Sequence, residues 1–540
     1  MQKIDFTYFE IEISFYGKIY NTEDIKSNQN LDSKIKNEFE LLLALYQKYS
    51  FDFLKILEGV FSFCIYDKKQ NLYFCARDRY GNVPLFYSII ENNFYFSINQ
   101  KTILENLVKK PSLNKVALSK YMQYFVSFGE DSFYTNIKKL ENSSYLIYKN
   151  NQTLIKKYYK INTYKAIKDE KKALKDIEEL LYTSIEKRGF STVSCLLSGG
   201  IDSSLLATLY TKISGKKINT FSLGYSEYKN YCELDFANIV AKDIKSNHHE
   251  IVVSKNDFIS SFYEMIDFFD EPHGDSASIS LNILFEKISS LGIKDLISGE
   301  GSDEIFLGYE SYAKFKSYYD FEKTLQTDQR EFLDEIVIAL QNNTKESEYL
   351  RRVVKKQNIY NSFGEVFNDM QKRRLFNKVP SFKLENPKQD CIDWMSYIDL
   401  KIWLGDSLLS KVHQVSNKHS LQVHTPFLDS SLVNYMFSVD STIKLGDTNK
   451  YLLKKIASKY IPQTIIDRSK KGFNSPFNEW LFLEFNDEIL NTILFVNKNT
   501  NLFKDEYLKT IYNLAKQNKF KQHLYLLFIF SLWYKKAYLS

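Results

Sequence analysis

Proline and glycine are scarce, with 8 and 18 among 540 residues. So few chain breakers exclude low-complexity architecture and favour a helix-rich globular fold. Cysteine is scarce too. The five, at 64, 75, 195, 232 and 391, form no C-x-x-C pair. Three lie in strand-like apolar runs, where buried free thiols are common, so a reducing, cytoplasmic setting is expected. Strong charge is also missing: 72 basic and 66 acidic residues leave +6, too little to demand nucleic acid or an anionic membrane. No apolar run is long enough to span a bilayer. The strongest, 524–534, reads as a buried C-terminal helix. Residues 1–5 carry no signal-peptide pattern. Aromatic residues, by contrast, abound. With so many Lys, Asn and Ile, the 42 Phe and 39 Tyr read as compositional drift rather than as a binding device.

The chain divides by pattern. Residues 11–16 alternate, 60–66 form a buried strand, 68–71 a turn, and 72–76 a returning strand. The segment 38–49 carries Phe39, Leu42, Leu43 and Tyr46 at helical spacing. An α+β sheet domain is expected over 1–160. After a polar junction and a helix at 171–188, strands predicted at 193–197, 218–223, 249–253 and 295–298 alternate with helices. That alternation predicts an α/β domain with a parallel sheet over 170–540. Ligands in such sheets bind beyond the carboxyl ends of the strands, where the loops after Leu197, Leu223 and Ile297 open.

One of those loops carries the most specific pattern in the chain, S-G-G-I-D-S-S at 198–204. Gly199 and Gly200 allow a sharp turn and close ligand approach. The helix start that follows offers unpaired N–H groups to an anion. Ser198, Ser203 and Ser204 add hydroxyls, and Asp202 can hold a cation. No lysine is present, so the phosphate loop ending in Gly-Lys-Ser/Thr is excluded. Pyrophosphate with Mg²⁺ suits the loop better. A second cluster, S-G-E-G-S-D-E at 298–304, gathers three acids on a glycine loop at the same sheet edge. That is costly without a cation or a proton-transfer role. A third, R-S-K-K-G-F at 468–473, supplies cations suited to a developing negative charge on phosphate.

Taken in order with F-S-L-G-Y at 221–225, D-E-P-H-G-D-S-A at 270–277 and T-P-F-L-D at 425–429, these motifs resemble the synthetase domain of the asparagine synthetase family. The resemblance implies an ATP pyrophosphatase fold in which ATP and Mg²⁺ are used to adenylate a carboxylate. It implies that Ser198, Gly199, Gly200, Asp202, Ser203 and Ser298 serve nucleotide binding. Leu196, Leu223 and Gly299 would frame adenine and ribose through backbone groups. Asp202 and Asp303 would bind Mg²⁺, Glu300 would act as base on the incoming amine, and Lys470 would stabilise the adenylation transition state.

The first 160 residues resemble the family's glutaminase domain, of the N-terminal-nucleophile type. S-F-Y-G-K-I-Y-N at 14–21 and A-R-D-R-Y-G-N-V-P-L at 76–85 carry that likeness. Position 2 is Gln, not the nucleophilic Cys. Tyr16 stands where the oxyanion Asn is expected, Lys18 where a Glu is, and Asn37 where the glutamine-binding Asp is. The segment ahead of the first motif is read as missing. A degenerate domain without glutaminase activity is therefore expected. Before T-P-F-L-D, four charged positions of the family pattern are replaced by His413, Gln414, Gln422 and His424. That signals either a rewired buried network or an acceptor other than aspartate. His248 and His249 read as surface residues rather than metal ligands.

The resulting expectation is an AMP-forming amide ligase acting on a small-molecule carboxylate with ammonia or an amine, with no nucleic acid or membrane partner and a homodimer left open. Aspartate is the default acceptor; a sugar acid, a peptide, or ring closure are alternatives. A tRNA-modifying pyrophosphatase would want a strong basic patch or catalytic cysteines. A nucleotide-binding pseudoenzyme would not need Asp202, Asp303, Glu300 and Lys470 together.

Overall fold

Apolar residues on alternate positions, and in places on every position, build the first sheets. A computed structural model describes residues 4–539 apart from positions 9, 33, 162–166, 190–193, 229–230, 341–343, 386–389 and 469–475. The N-terminal strands are β1 (Ile4–Tyr8), β2 (Ile11–Ile19), β3 (Gly59–Asp67), β4 (Leu72–Arg77), β5 (Phe86–Ile90), β6 (Asn93–Ser97), β7 (Lys138–Lys139), β8 (Ser144–Lys149) and β9 (Gln152–Lys157). They form a six-stranded antiparallel sheet, β1-β2-β3-β4-β8-β9, and a three-stranded one, β6-β5-β7. Strand β3 is largely apolar because both its faces are covered. Phe61, Phe63 and Ile65 meet the helix Glu38–Tyr49, while Cys64 packs with Leu85, Tyr87 and Leu140. Strand β1 pairs with β2 from Ile4↔Phe15 to Tyr8↔Ile11. The expectation of a missing leading segment is thus corrected: a strand precedes the S-F-Y-G motif.

The A-R-D-R-Y-G-N-V-P-L motif owes its residues to backbone packing. The Asp78 carboxylate accepts the N–H groups of Tyr80, Gly81, Asn82 and Val83 at 2.8–3.1 Å, and the Asn82 side chain as well. Buried Arg77 donates to the carbonyls of Gly81, Val83 and Leu140 at 2.7–2.9 Å. Asn37 caps the helix Glu38–Tyr49 by accepting the Glu40 N–H at 2.9 Å, as an Asp would.

The second sheet contains β10 (Ser194–Leu196), β11 (Asn219–Tyr225), β12 (Asn247–Val253), β13 (Asp295–Ile297) and β14 (Gln422–His424) in the order β12-β11-β10-β13-β14. All its pairs are parallel. Helices cover both faces, as a parallel sheet requires. Chain order reverses at β10, between β11 and β13. The loops after β10 and β13, a hundred residues apart in sequence, therefore open side by side at one crevice. His248 and His249 lie on the edge strand β12, partly exposed, with His249 stacked on Phe221 at 4.9 Å.

The C-terminal helices Phe477–Thr500, Asp505–Lys516 and Lys521–Tyr534 do not close a core of their own. They share one with Phe86, Tyr121, Met122 and Phe133 from the N-terminal region, and Tyr121 Oη donates to the Leu526 carbonyl at 3.0 Å. No helix among the described residues is long and apolar enough to cross a membrane.

Asp78→Ala would strand five buried donors. Each unsatisfied donor costs about 1–3 kcal/mol before relaxation, so a loss of roughly 3 kcal/mol or more is expected in urea unfolding. A midpoint within error of the native chain would refute this scaffold role.

Candidate active site

Strand β10 ends at Leu196, which is half-buried, as is Leu223 on the adjacent β11. The chain then turns through Gly199 at φ +70°, where a Cβ would lie 2.6 Å from the Ala237 nitrogen. Only glycine fits there. Ser203 Oγ accepts the Ser198 N–H at 3.2 Å and lies 3.1 Å from Ser198 Oγ, while Gly200 N–H donates to Ser198 Oγ at 3.3 Å. These bonds close the loop around the N-terminus of the helix Ile201–Ser214. Its first N–H groups and the positive end of its dipole lie at the loop, an arrangement that favours an anion.

Asp202 leaves the first turn of that helix toward the second loop. There Ser302 Oγ donates to it at 2.7 Å, and a Cβ on Gly299 would come within 3.1 Å of its own Cβ. Asp202 and Asp303 converge on one cation, the Lys450 ammonium. Lys450 Nζ lies 2.6 Å from both Asp202 oxygens and 2.7 Å from Asp303 Oδ1. Burial opposes the charge on Lys450, but the two carboxylates outweigh it and hold its pKa well above the ordinary value. Gly308 makes room for the cluster, since a Cβ there would sit 2.0 Å from Asp303 Oδ1 and 2.3 Å from Lys450 Cε. Sequence reasoning missed Lys450. It lies about 250 residues from Asp202, at a helix start with no motif to mark it.

The three acids of the second loop have separate fates. Asp303 faces the cation. Glu304 turns the other way into the core, where Tyr309 Oη donates to it at 2.7 Å. Burial, with Asp303 beside it, pushes Glu304 up to about 8, so it is mostly protonated at neutral pH. Glu300 remains partly accessible. Its pKa is raised by desolvation and by Asp303, Asp275 and Asp202, against the pull of Lys411. Ser298, at the end of β13, is buried and donates its N–H to the His424 carbonyl at 2.9 Å.

On the far side of Glu300, Lys411 Nζ contacts Asp275 Oδ2 at 2.6 Å. Desolvation would raise Asp275, but Lys411 and His273 more than offset it and keep this carboxylate ionised. His273 Nδ1 accepts the Asp275 N–H at 3.2 Å and Nε2 lies 3.2 Å from the Ser407 carbonyl. That pairing requires the neutral Nε2–H tautomer, consistent with burial lowering His273 to about 4.

The four positions that depart from the family pattern make separate contacts. His424 is fully buried, with Nδ1 3.1 Å from Tyr20 Oη and Nε2 2.9 Å from Asp295 Oδ1. It links the N-terminal sheet to β13 directly below the Ser298 loop. Gln414 donates to Ser410 Oγ at 3.1 Å, and Gln422 continues the β14 pairing. His413 is pushed down to about 3 by burial. Its Nε2 has no hydrogen-bond partner among the described residues.

Lys470 lies outside the described residues. Arg468, two positions before it, donates from Nη1 to the Gly199 carbonyl at 2.8 Å and pairs with Glu233. The basic segment therefore starts at the edge of the pyrophosphate-type loop. The loops after β10 and β13, which carry residues 198–203 and 298–303, meet through the Ser302–Asp202 contact.

Lys450→Met would leave Asp202 and Asp303 facing each other. Breaking a buried pair costs about 3–5 kcal/mol, so thermal unfolding should move to markedly lower temperature. Millimolar MgCl₂ should restore more of the variant's stability than it adds to the native chain. Equal magnesium shifts in the two proteins would refute this.

Comparison with known proteins agrees with this geometry. The asparagine synthase family model matches residues 176–535, and the glutamine amidotransferase domain model matches residues 2–159. The glutamine-hydrolysing asparagine synthetase 1 of Bacillus subtilis (strain 168) is 27% identical over 97% of this chain and 85% of its own. Asparagine synthetase 3 of the same organism is 24% identical over 89% of this chain and 80% of its own. The chain therefore belongs to the asparagine synthase family, as an ATP-dependent carbon–nitrogen ligase with a glutamine amidotransferase-type domain at its N-terminal side.

Proposed function

We propose that this ligase adenylates a small-molecule carboxylate and transfers the acyl group to ammonia or an amine, without hydrolysing glutamine. The observation that carries the reading is the convergence of Asp202 and Asp303 on one cation position at the mouth of the helix Ile201–Ser214. In the first step an acceptor carboxylate oxygen attacks the α-phosphorus of ATP, the bond to the bridging oxygen breaks, and pyrophosphate leaves. The Ser198 and Ser203 hydroxyls and the N–H groups around Gly199 and Gly200 hold that anion. Leu196, Leu223 and Gly299 offer backbone groups to the adenosine.

Asp202 and Asp303, which here hold the Lys450 ammonium, would share Mg²⁺ with it, and the ion would offset phosphate charge. The donor set suits it, because Mg²⁺ commonly takes one or two carboxylates and completes its shell with phosphate and water. No larger group of His, Cys, Asp and Glu able to hold a metal occurs among the described residues. Lys470 stabilises charge developing on the α-phosphate. In the second step the amine nitrogen attacks the acyl carbon, the bond to AMP breaks, and Glu300 takes the amine proton. A carboxylate with a raised pKa is the better base for that task.

Three features support loss of glutaminase activity. Gln2 has no thiol. Asn37 is accounted for as a helix cap. Cys64 and Cys75 face each other at 3.0 Å across β3 and β4, both buried, and burial holds the Cys64 thiol well above its ordinary pKa. Neither is placed to act as a nucleophile.

Asp202→Asn keeps the hydrogen bond from Ser302 but removes the charge. ATP–pyrophosphate exchange with the accepted carboxylate should fall by about 10²–10³; exchange at the native rate would overturn the assignment. With glutamine as sole nitrogen source the protein should release no glutamate, while ammonium supports turnover. Steady glutamate release above a boiled control would overturn the second half of the reading. Deleting the first 160 residues is not a usable control, because Tyr121 and Phe133 belong to the core of the C-terminal helices.

A further inference from the structure

A row of aromatic rings runs between the 298–304 loop and the loop that carries Gly274 and Asp275. Tyr309 stacks on Phe363 with centroids 4.0 Å apart, Phe363 lies 5.4 Å from Trp403, and Trp403 lies 5.5 Å from Phe125. Phe363 is 41% exposed, and Trp403 and Phe125 are partly exposed. The row is tied at both ends to the loops around Glu300. Trp403 Nε1 donates to Tyr309 Oη at 3.0 Å, and that hydroxyl in turn serves Glu304 of the second acidic loop. At the other end the Phe125 carbonyl accepts the Gly274 N–H at 2.8 Å, next to Asp275.

Three features indicate that the row is held in place. Phe125 sits at φ +69°, a strained region for an aromatic residue. At Gly364 a Cβ would lie 2.6 Å from the Trp403 ring, so the backbone abuts the indole. Trp403 also lies on a ten-residue π-helical stretch, Asp399–Leu408, a rare geometry associated with functional sites. Trp403, Ser407 and Lys411 recur four apart along this run and the helix Leu409–Lys418. Their contacts with Tyr309, His273 and Asp275 set one flank of the run against the loops that flank Glu300.

The charges around Glu300 are equally restrictive. The strongest charges acting on it are those of Lys411, Asp303, Asp275 and Asp202, and Lys411 already pairs with Asp275. An amino dicarboxylic acid brings a second carboxylate that needs a cation of its own. Among the described residues no arginine forms an ion pair with Asp275 or Glu300. A molecule with one carboxylate, hydroxyl donors for the acidic groups and a flat C–H face fits better, because aromatic faces attract polarised C–H edges.

Resting on the adenylation reading above, we propose that Phe363, Trp403 and Phe125 are specificity-determining residues that seat a sugar acid, with its ring against the aromatic row and its carboxylate toward Lys411. The whole chain is tested with sodium D-glucuronate, D-galacturonate, L-aspartate and phenylacetate. Binding is read by calorimetry and adenylation by ATP–pyrophosphate exchange. A uronate should bind and support exchange, with aspartate and phenylacetate far weaker. Trp403→Leu and the surface change Phe363→Ala should each raise the uronate KM about tenfold, the size of one lost ring contact, with kcat little changed, and Trp403→Phe should recover most of it. Exchange driven best by aspartate or phenylacetate overturns the proposal and leaves the adenylation reading standing. Uronate binding that Trp403→Leu abolishes, without exchange, supports the seat and overturns the adenylation reading. Absence of uronate binding, or a uronate KM indifferent to both substitutions, overturns the proposal.

Discussion

Two carboxylates aimed at one point are the constraint around which the catalytic half is organised. Asp202 and Asp303 could not both stay ionised this close together without a cation, and Lys450 supplies one. Each participant depends on a different feature of the fold. The strand order reverses at β10, so the two acidic loops meet at one crevice. Lys450 adopts a left-handed conformation at a helix start, which directs its side chain between them. Gly308 leaves the volume that the cluster occupies. The N-terminus of the helix Ile201–Ser214 lies beside this carboxylate pair, so a site with an affinity for anions adjoins one with an affinity for cations.

The N-terminal domain keeps the parts of its motif that hold backbone. Arg77 and Asp78 together satisfy eight main-chain or amide groups, a role that does not depend on glutamine chemistry. The same domain contributes Tyr20 to the buried Tyr20–His424–Asp295 contact and Tyr121 to the core of the C-terminal helices. His424 is held neutral by burial, against the pull of Asp295. Its carbonyl takes the Ser298 N–H. The domain thus buttresses the loop that carries Glu300.

Aromatic content illustrates how composition misleads. The many Phe and Tyr residues are spread through several cores, where they act as apolar volume. Four rings nevertheless line up in one row, drawn from residues 125, 309, 363 and 403. No window of sequence contains that row. Only the packing of a helix end, a loop and a π-helical run against one another assembles it.

Local signals in the chain determined the strands and helices of the parallel sheet, the glycine-serine loop after β10 and the acidic loop after β13. Periodicity, glycine placement and helix starts act over a few residues and can be read there. Tertiary structure alone decided which charges meet. It paired Lys450 with Asp202 and Asp303, sent Glu304 into the core as a mostly neutral acid, and set Lys411 against Asp275. Ion pairing and desolvation depend on distances in space, and the partners here lie about 100 to 250 residues apart in the chain.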